Sequence, residues 1–236
     1  MALRGFFIAG TDTGVGKTQI ACALLMVLAR EGRRPVALKP VETGCAPDSP
    51  EDALALRAAC GPPGDALPLD RVCPYRFLLP AAPLVAAEAE GRAVSLARIH
   101  ACVRAAADEG ATLVVEAAGG LLVPLTNVNE TFITNLDLAR MLGLPVILVG
   151  RAGVGTLNHT ALSVEALVRR AVPIAGLVLN RSAEADDPSV ATNAAWVERL
   201  TTLPVLGPTP FVADRAARLE ALLPFVRPLA ARLPRD

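Results

Sequence analysis

The chain keeps only two lysines, Lys17 and Lys39; arginine supplies the other 21 of its 23 basic residues. Where such a chain retains Lys, a compact ammonium is needed rather than a planar guanidinium. Lys17 lies in Gly10-Thr11-Asp12-Thr13-Gly14-Val15-Gly16-Lys17-Thr18. That stretch reads as a phosphate-binding loop. The backbone N–H groups of Gly14, Val15 and Gly16 can wrap a β-phosphate, and the following helix adds its positive N-terminus. Lys17 is then a point charge for β/γ oxygens, and the Thr18 hydroxyl is a ligand for Mg²⁺. The strict pattern G-x-x-x-x-G-K-[ST] fails at one position, because Thr11 occupies the first Gly slot with Gly10 just before it. The bland alternative is a Gly-rich turn with a surface Lys. A strand before and a helix after favour the loop.

Lys39 follows the strand-like Val-Ala-Leu and can reach the same phosphates, as a compact charge on developing anions. Glu116 follows Leu113-Val114-Val115, at the strand end where a Mg²⁺-site acid sits in phosphate-loop enzymes. Asp52 offers a second carboxylate, or merely a negative charge at a helix N-terminus. Asn180 closes Gly176-Leu177-Val178-Leu179, where an amide can read adenine or make a turn. Gly153-Val154-Gly155-Thr156-Leu157-Asn158-His159 is a second Gly-rich helix start, suited to a carboxylate or to a tight turn. His159 has no acid or nucleophile at useful spacing, and His100 lies mid-helix. No catalytic triad and no metal cluster beyond Mg²⁺ ligands is legible.

The elements that must position these groups alternate between strand and helix. Strands are predicted over 5–9, 35–39, 112–116, 145–149, 174–180 and 204–206. Helices are predicted over 17–31, 48–60, 83–90, 95–109, 134–142, 157–170, 188–200 and 214–233, the last interrupted at Pro224 and Pro228. Residues 61–82 read mostly as loop. The alternation implies an α/β fold with a doubly wound, mainly parallel sheet of phosphate-loop NTPase type, one domain over 1–236. Ligands in such a sheet sit beyond the carboxyl ends of the strands, where Lys39, Glu116, Gly150 and Asn180 fall.

Composition narrows the partners. Hydrophobic residues reach 53% with aromatics at 3%, which suits buried parallel strands under Ala/Leu-rich helices. Net charge is zero and no polybasic or aromatic–basic run occurs, which argues against nucleic acid. No run is long and apolar enough for a spanning helix, and the start is too short for a signal peptide. Five scattered cysteines without C-x-x-C spacing argue against a disulfide framework or zinc, and fit a reducing cytoplasm.

Taken in order, these motifs resemble the dethiobiotin synthetase family over residues 6–211. The resemblance rests on the 10–18 loop, Lys39-Pro40-Val41-Glu42-Thr43-Gly44, Asp52-Ala53-Leu54-Ala55-Leu56, Val115-Glu116-Ala117-Ala118-Gly119-Gly120 and Gly155-Thr156-Leu157-Asn158-His159. It implies a homodimer that takes MgATP, CO₂ and 7,8-diaminononanoate. By the same resemblance, Gly14, Val15, Gly16, Lys17 and Thr18 hold phosphates, with Gly119 beside them. Thr18, Asp52 and Glu116 serve Mg²⁺, and Lys17, Lys39 and Thr13 act on carbamate and γ-phosphate. Thr43 contacts the diamine. Asn180, Pro210 and Phe211 approach adenine. Gly155, Thr156 and Asn158 receive the substrate carboxylate across the dimer. Gly14, Thr43 and Ala117 depart from residues common in the family; Ala117 matters if a positive φ is needed there.

Two other readings compete with this one. A cobyrinate-type amide ligase shares the architecture but usually continues into a glutaminase domain. A partitioning-type ATPase switch carries a Lys near the loop start, where Thr11 stands, and often ends in a membrane- or DNA-binding helix. Residues 225–236 are interrupted by proline and carry three Arg, a poor membrane helix.

Overall fold

The computed structural model describes residues 3–62, 64–184 and 186–233. Its centre is a six-stranded sheet whose pairings are all parallel. The strands are β1 (Gly5–Gly10), β2 (Pro35–Leu38), β5 (Thr112–Gly120), β8 (Val146–Arg151), β9 (Ile174–Asn180) and β10 (Val205–Leu206), in the order β10-β9-β8-β1-β5-β2. Chain order reverses at β1, which lies between β5 and β8. A crevice therefore opens beyond its carboxyl end, and the 10–18 loop leaves the sheet there.

Successive strand residues point to opposite faces, and here both faces are dry. Phe6 and Ile8 of β1 pack with Ala37, Val114, Ile147 and Val178 under α1 (Lys17–Arg30), α2 (Glu51–Ala59) and α9 (Arg215–Ala230). The alternate residues Phe7 and Ala9 join Leu38, Leu113, Val115, Leu148 and Leu177 on the other face. That second face is covered from a distinct set of helices: α4 (Pro83–Ala89), α5 (Leu96–Asp108), α6 (Asn135–Leu142), α7 (Thr156–Arg169) and α8 (Val190–Thr201).

The predicted doubly wound sheet is present, with four differences of detail. First, β5 runs on through Ala117 to Gly120, four residues past the predicted end. Second, the 61–82 stretch contains a 3-10 turn at Gly64–Ala66, the short helix α3 (Leu69–Val72) and strand β4 (Tyr75–Phe77). β4 pairs in parallel with β3 (Val41–Thr43) in a small separate ribbon, a register set by long-range contact rather than local pattern. Third, β6 (Pro124–Val128) and β7 (Thr131–Thr134) form an antiparallel hairpin with Asn129 and Glu130 at positive φ. Fourth, α9 is not interrupted: Pro224 and Pro228 both lie inside it. They are four apart and both exposed, so the carbonyls they orphan face water while Leu222, Leu223, Val226 and Leu229 stay buried.

All five cysteines are free, and Cys22, Cys45, Cys60 and Cys73 are buried. Burial pushes the thiols of Cys22 and Cys73 far up and that of Cys60 to about 11. No helix among the described residues is long and apolar enough to cross a membrane. The last three residues of the 225–236 tail lie outside the described residues.

Candidate active site

The 10–18 loop is anchored at both ends. Thr11 N–H donates to the Val149 carbonyl of β8 at 2.9 Å. Asp12 accepts from Thr13 N–H at 2.7 Å and pairs with Arg151 at the end of β8, also at 2.7 Å. Gly16, at φ 91°, turns the chain into α1, whose first turn carries no acidic residue. The backbone N–H groups and the helix N-terminus are thus left for an anion.

Lys39 meets two carboxylates, Asp52 and Glu116, just past the carboxyl end of β2, with Glu116 in the middle of β5. Lys39 leaves β2 with its backbone N–H held by the Val72 carbonyl of α3 at 2.7 Å. Its ammonium donates to Asp52 at 2.8 Å and also to Oε1 of Glu116. Thr18 donates to that same Oε1 at 3.0 Å. Burial alone would lower the Lys39 pKa, but the negative charges of Glu116 and Asp52 overcome it and hold the ammonium well above its ordinary value. Burial likewise acts to raise Asp52, and the Lys39 charge and its hydrogen bond reverse this, so the carboxyl lies below its usual range. Lys17 behaves oppositely. Burial lowers its pKa, Glu116 acts to raise it, and Lys39 lowers it further. With no carboxylate of its own, its ammonium rests on the Asp12 carbonyl at 3.1 Å. A triphosphate would supply the counter-charge that Lys17 lacks.

Oxygen donors also fit a hard divalent cation. Oε2 of Glu116 is buried with no hydrogen-bond partner, next to Thr18 and Asp52. Among the described residues no group of three or more His, Cys, Asp or Glu side chains could hold a metal. A pair of carboxylates with a hydroxyl instead matches Mg²⁺, which keeps waters and phosphate oxygens in its shell.

Three positioning residues carried no sequence signal of their own. Glu42 of β3 accepts from the backbone N–H groups of Asp52 and Ala53, at 3.1 and 2.8 Å. It caps α2 from the strand just before it in the chain and so sets Asp52 in place. Asn135, fully buried, donates to the carbonyls of Ala118 and Gly120, each at 2.8 Å. This fixes the Gly119 turn beside Thr13, whose hydroxyl lies 3.4 Å from where a Gly119 Cβ would be. Arg151 holds Asp12, as above. The capping box of Thr134 and Asp137 is readable in the sequence, whereas the reach of Asn135 is not.

A cleft of about 1620 Å³ gathers Thr13, Gly14, Gly16, Lys17, Thr18, Lys39, Thr43, Asp52, Glu116 and Gly119. Val15 and Asn180 instead line a smaller pocket of about 300 Å³ on the far side of the loop, with Arg151 and Asp187. Pro210 and Phe211 line neither, but Phe211 stacks under Arg218 at 4.6 Å, and Arg218 does line the large cleft. Gly155, Thr156 and Asn158 stand apart at the start of α7. There Thr156 is buried against Thr160 at 3.2 Å, while Asn158 is exposed.

Comparison with known proteins decides the family. Residues 4–217 match a family described as an AAA domain. The chain is 53% identical over 220 residues to the ATP-dependent dethiobiotin synthetase BioD of Anaeromyxobacter dehalogenans strain 2CP-C, covering 93% of this chain and 96% of that one. The chain belongs to the dethiobiotin synthetase family. More distant synthetases of the same name keep the match: 40% identity in Aromatoleum aromaticum, over 89% of this chain and 92% of that one. The Bacillus thuringiensis synthetase is 37% identical over 93% of this chain and 88% of its own length. Neither the partitioning switch nor the amide ligase is favoured. Of the departures from the synthetase motifs, Ala117 is harmless to the backbone. It lies within β5 and is absent from the non-glycine residues at positive φ, whereas Gly119 takes φ 77°.

Proposed function

We propose that this enzyme closes the ureido ring of dethiobiotin from 7,8-diaminononanoate, CO₂ and ATP, in biotin biosynthesis. The observation that carries the reading is the meeting of both of the chain's lysines with Asp52, Glu116 and Thr18 in one cleft of a synthetase-family fold.

An amine nitrogen of the substrate attacks CO₂, loses a proton and becomes a carbamate. A carbamate oxygen attacks the γ-phosphorus, and ADP leaves. The second amine then attacks the carbonyl carbon of the mixed anhydride, phosphate departs, and the ring closes. Such a sequence asks the protein mainly for positioning and for positive charge at developing anions. Lys17 and the N–H groups of residues 14–18 face the phosphates. Lys39 stands between the carbamate and the γ-phosphate, with Thr13 and Gly119 alongside. Thr43 borders the diamine. Thr18, Asp52 and Glu116 would hold Mg²⁺, which supplies counter-charge to phosphate oxygens. Asn180, Pro210 and Phe211 belong to the base side of the nucleotide.

The reading extends to a homodimer in which Gly155, Thr156 and Asn158 serve the substrate carboxylate of the neighbouring subunit. Support comes from apolar side chains left exposed: Leu122, Val128 and Phe132 in and beside the β6–β7 hairpin, and Val154 just before α7. The enzyme works as a cytoplasmic protein in this reading. The decisive test is to mix protein, MgATP, bicarbonate and 7,8-diaminononanoate and weigh the product by mass spectrometry. Dethiobiotin should appear with one equivalent of ADP; its absence from an active, folded preparation refutes the assignment.

A further inference from the structure

Strand β5 does not run straight into the cleft. Its ladder with β2 ends at Leu38–Val115. Its ladder with β1 slips after Ile8–Glu116, so that Gly120 rather than Ala118 stands opposite Gly10. Residues 117–119 thus form a bulge, a device that re-aims a strand beside a site. Gly119 takes φ 77° within it. A Cβ there would meet Val123 at 3.1 Å as well as the Thr13 hydroxyl.

One side chain from α6 holds the bulge. Nδ2 of the buried Asn135 bridges the carbonyls of Ala118 and Gly120. Both carbonyls only accept, which fixes the amide orientation and turns Oδ1 the other way, buried with no partner. An unmet buried acceptor is destabilising, so packing alone does not account for asparagine at this position. The backbone beside it is pinned too: Asn135 N–H donates to the Val123 carbonyl at 3.2 Å and Leu136 N–H to the Leu121 carbonyl at 2.9 Å. The hold on Ala118 has a consequence one bond away. Ala118 C=O and Gly119 N–H share one trans peptide and point in opposite directions. With the carbonyl drawn toward α6, the N–H is turned to the side where Ala118 and Gly119 line the cleft with Thr13, Lys17 and Lys39.

We propose that Asn135 is a positioning residue for the transferred phosphoryl group: by holding the β5 bulge it presents the Gly119 N–H to the γ-phosphate, and so serves turnover and the preference for triphosphate over diphosphate. The proposal rests on the reading of this cleft as a phosphoryl-transfer site, and deepens it.

The test uses the whole protein. Calorimetry compares MgADP with the magnesium complex of β,γ-imido-ATP, which keeps a γ-phosphate and is not cleaved; mass spectrometry follows ring closure. Asn135→Ala should bind MgADP as the wild type does and bind the imido analogue about fivefold more weakly. Its kcat should fall by about tenfold or more, with the KM for diaminononanoate little changed. Asn135→Ser, which keeps one donor, should lie between the two, and it decides the matter if Asn135→Ala does not fold. Equal weakening of MgADP and the analogue would mark a loosened fold and overturn the proposal. So would a folded Asn135→Ala that prefers the analogue as strongly as the wild type does. The calorimetry needs no diamine. A wild-type protein that prefers the analogue yet makes no dethiobiotin therefore refutes the ring-closing assignment, while the Asn135 comparison still decides the proposal. A wild-type protein that binds the two nucleotides alike overturns the proposal together with the triphosphate reading.

Discussion

Lys39 and Glu116, 77 residues apart in sequence, share one buried ion pair at the mouth of the sheet. The Glu116 side chain has no exposure and that of Lys39 has 5%. Removing one partner of such a pair strands the other in a dry site. The pair therefore couples the charge proposed to act in catalysis to the integrity of the fold.

Lys39→Met keeps much of the side-chain volume and deletes the charge. Thermal melts should show a loss of about 3 kcal/mol or more, equivalent to a fall of about 6–12 °C in a chain of this size. Adding Glu116→Gln should restore part of it. An unchanged melting temperature in the single variant would mean that the pair does not hold in solution.

Lys39→Arg asks a different question of the same position. Arg preserves charge but brings a wider, planar fork. Calorimetry should find MgATP binding retained, while mass spectrometry on the same preparation finds most ring closure lost. Full turnover would reduce Lys39 to an ordinary cation.

Lys17→Ala should cut turnover by about 10²-fold or more. The depressed Lys17 pKa adds a pH signature. Phosphate favours the protonated form, so wild-type MgATP affinity is fullest below the lowered pKa of the free protein. It should decline as pH rises through that value, before the ordinary Lys pKa of about 10.4. Lys17→Ala should flatten this slope in calorimetric titrations across alkaline pH.

Glu42→Ala frees two helix N-terminal N–H groups, a loss of about 1–2 kcal/mol. Because Asp52 is then less firmly placed, the Mg²⁺ concentration needed for half-maximal activity should rise. Burial raises the Glu42 pKa in the folded protein, so the folded state binds its proton more tightly than the unfolded chain. Its contribution to stability is therefore fullest below about pH 4.3 and declines as pH rises through the folded pKa. Denaturant titrations across acid pH should show that slope in the wild type and its loss in Glu42→Ala.

Mixing Asn158→Ala with Lys17→Ala chains tests the composite site. Heterodimers would hold one site with both groups intact, and activity should partly recover. No recovery despite proven subunit exchange would place each site within one chain.

What the sequence disclosed and what it withheld differ in range. The phosphate loop, both lysines, Asp52 and Glu116 were legible because their chemistry is written in adjacent residues and strand ends. The sheet was legible because parallel strands buried on both faces are continuous apolar runs. The β3–β4 ribbon escaped because each strand is three residues long and is defined by its partner. Glu42, Asn135 and Arg151 escaped because each acts through a hydrogen bond or ion pair to another part of the fold. The break expected in α9 failed because its two prolines share the wet face, where a missing hydrogen bond is replaced by water.

The burial of four thiols makes the chain chemically selective. Cys102, partly exposed on α5, is the one cysteine a bulky electrophile can approach without opening the fold. Its helix covers the opposite face of the sheet from α1 and α9. A maleimide dye on the unmodified enzyme should thus attach at a single known address, away from the lysines. That gives a reporter for subunit exchange without any engineered cysteine.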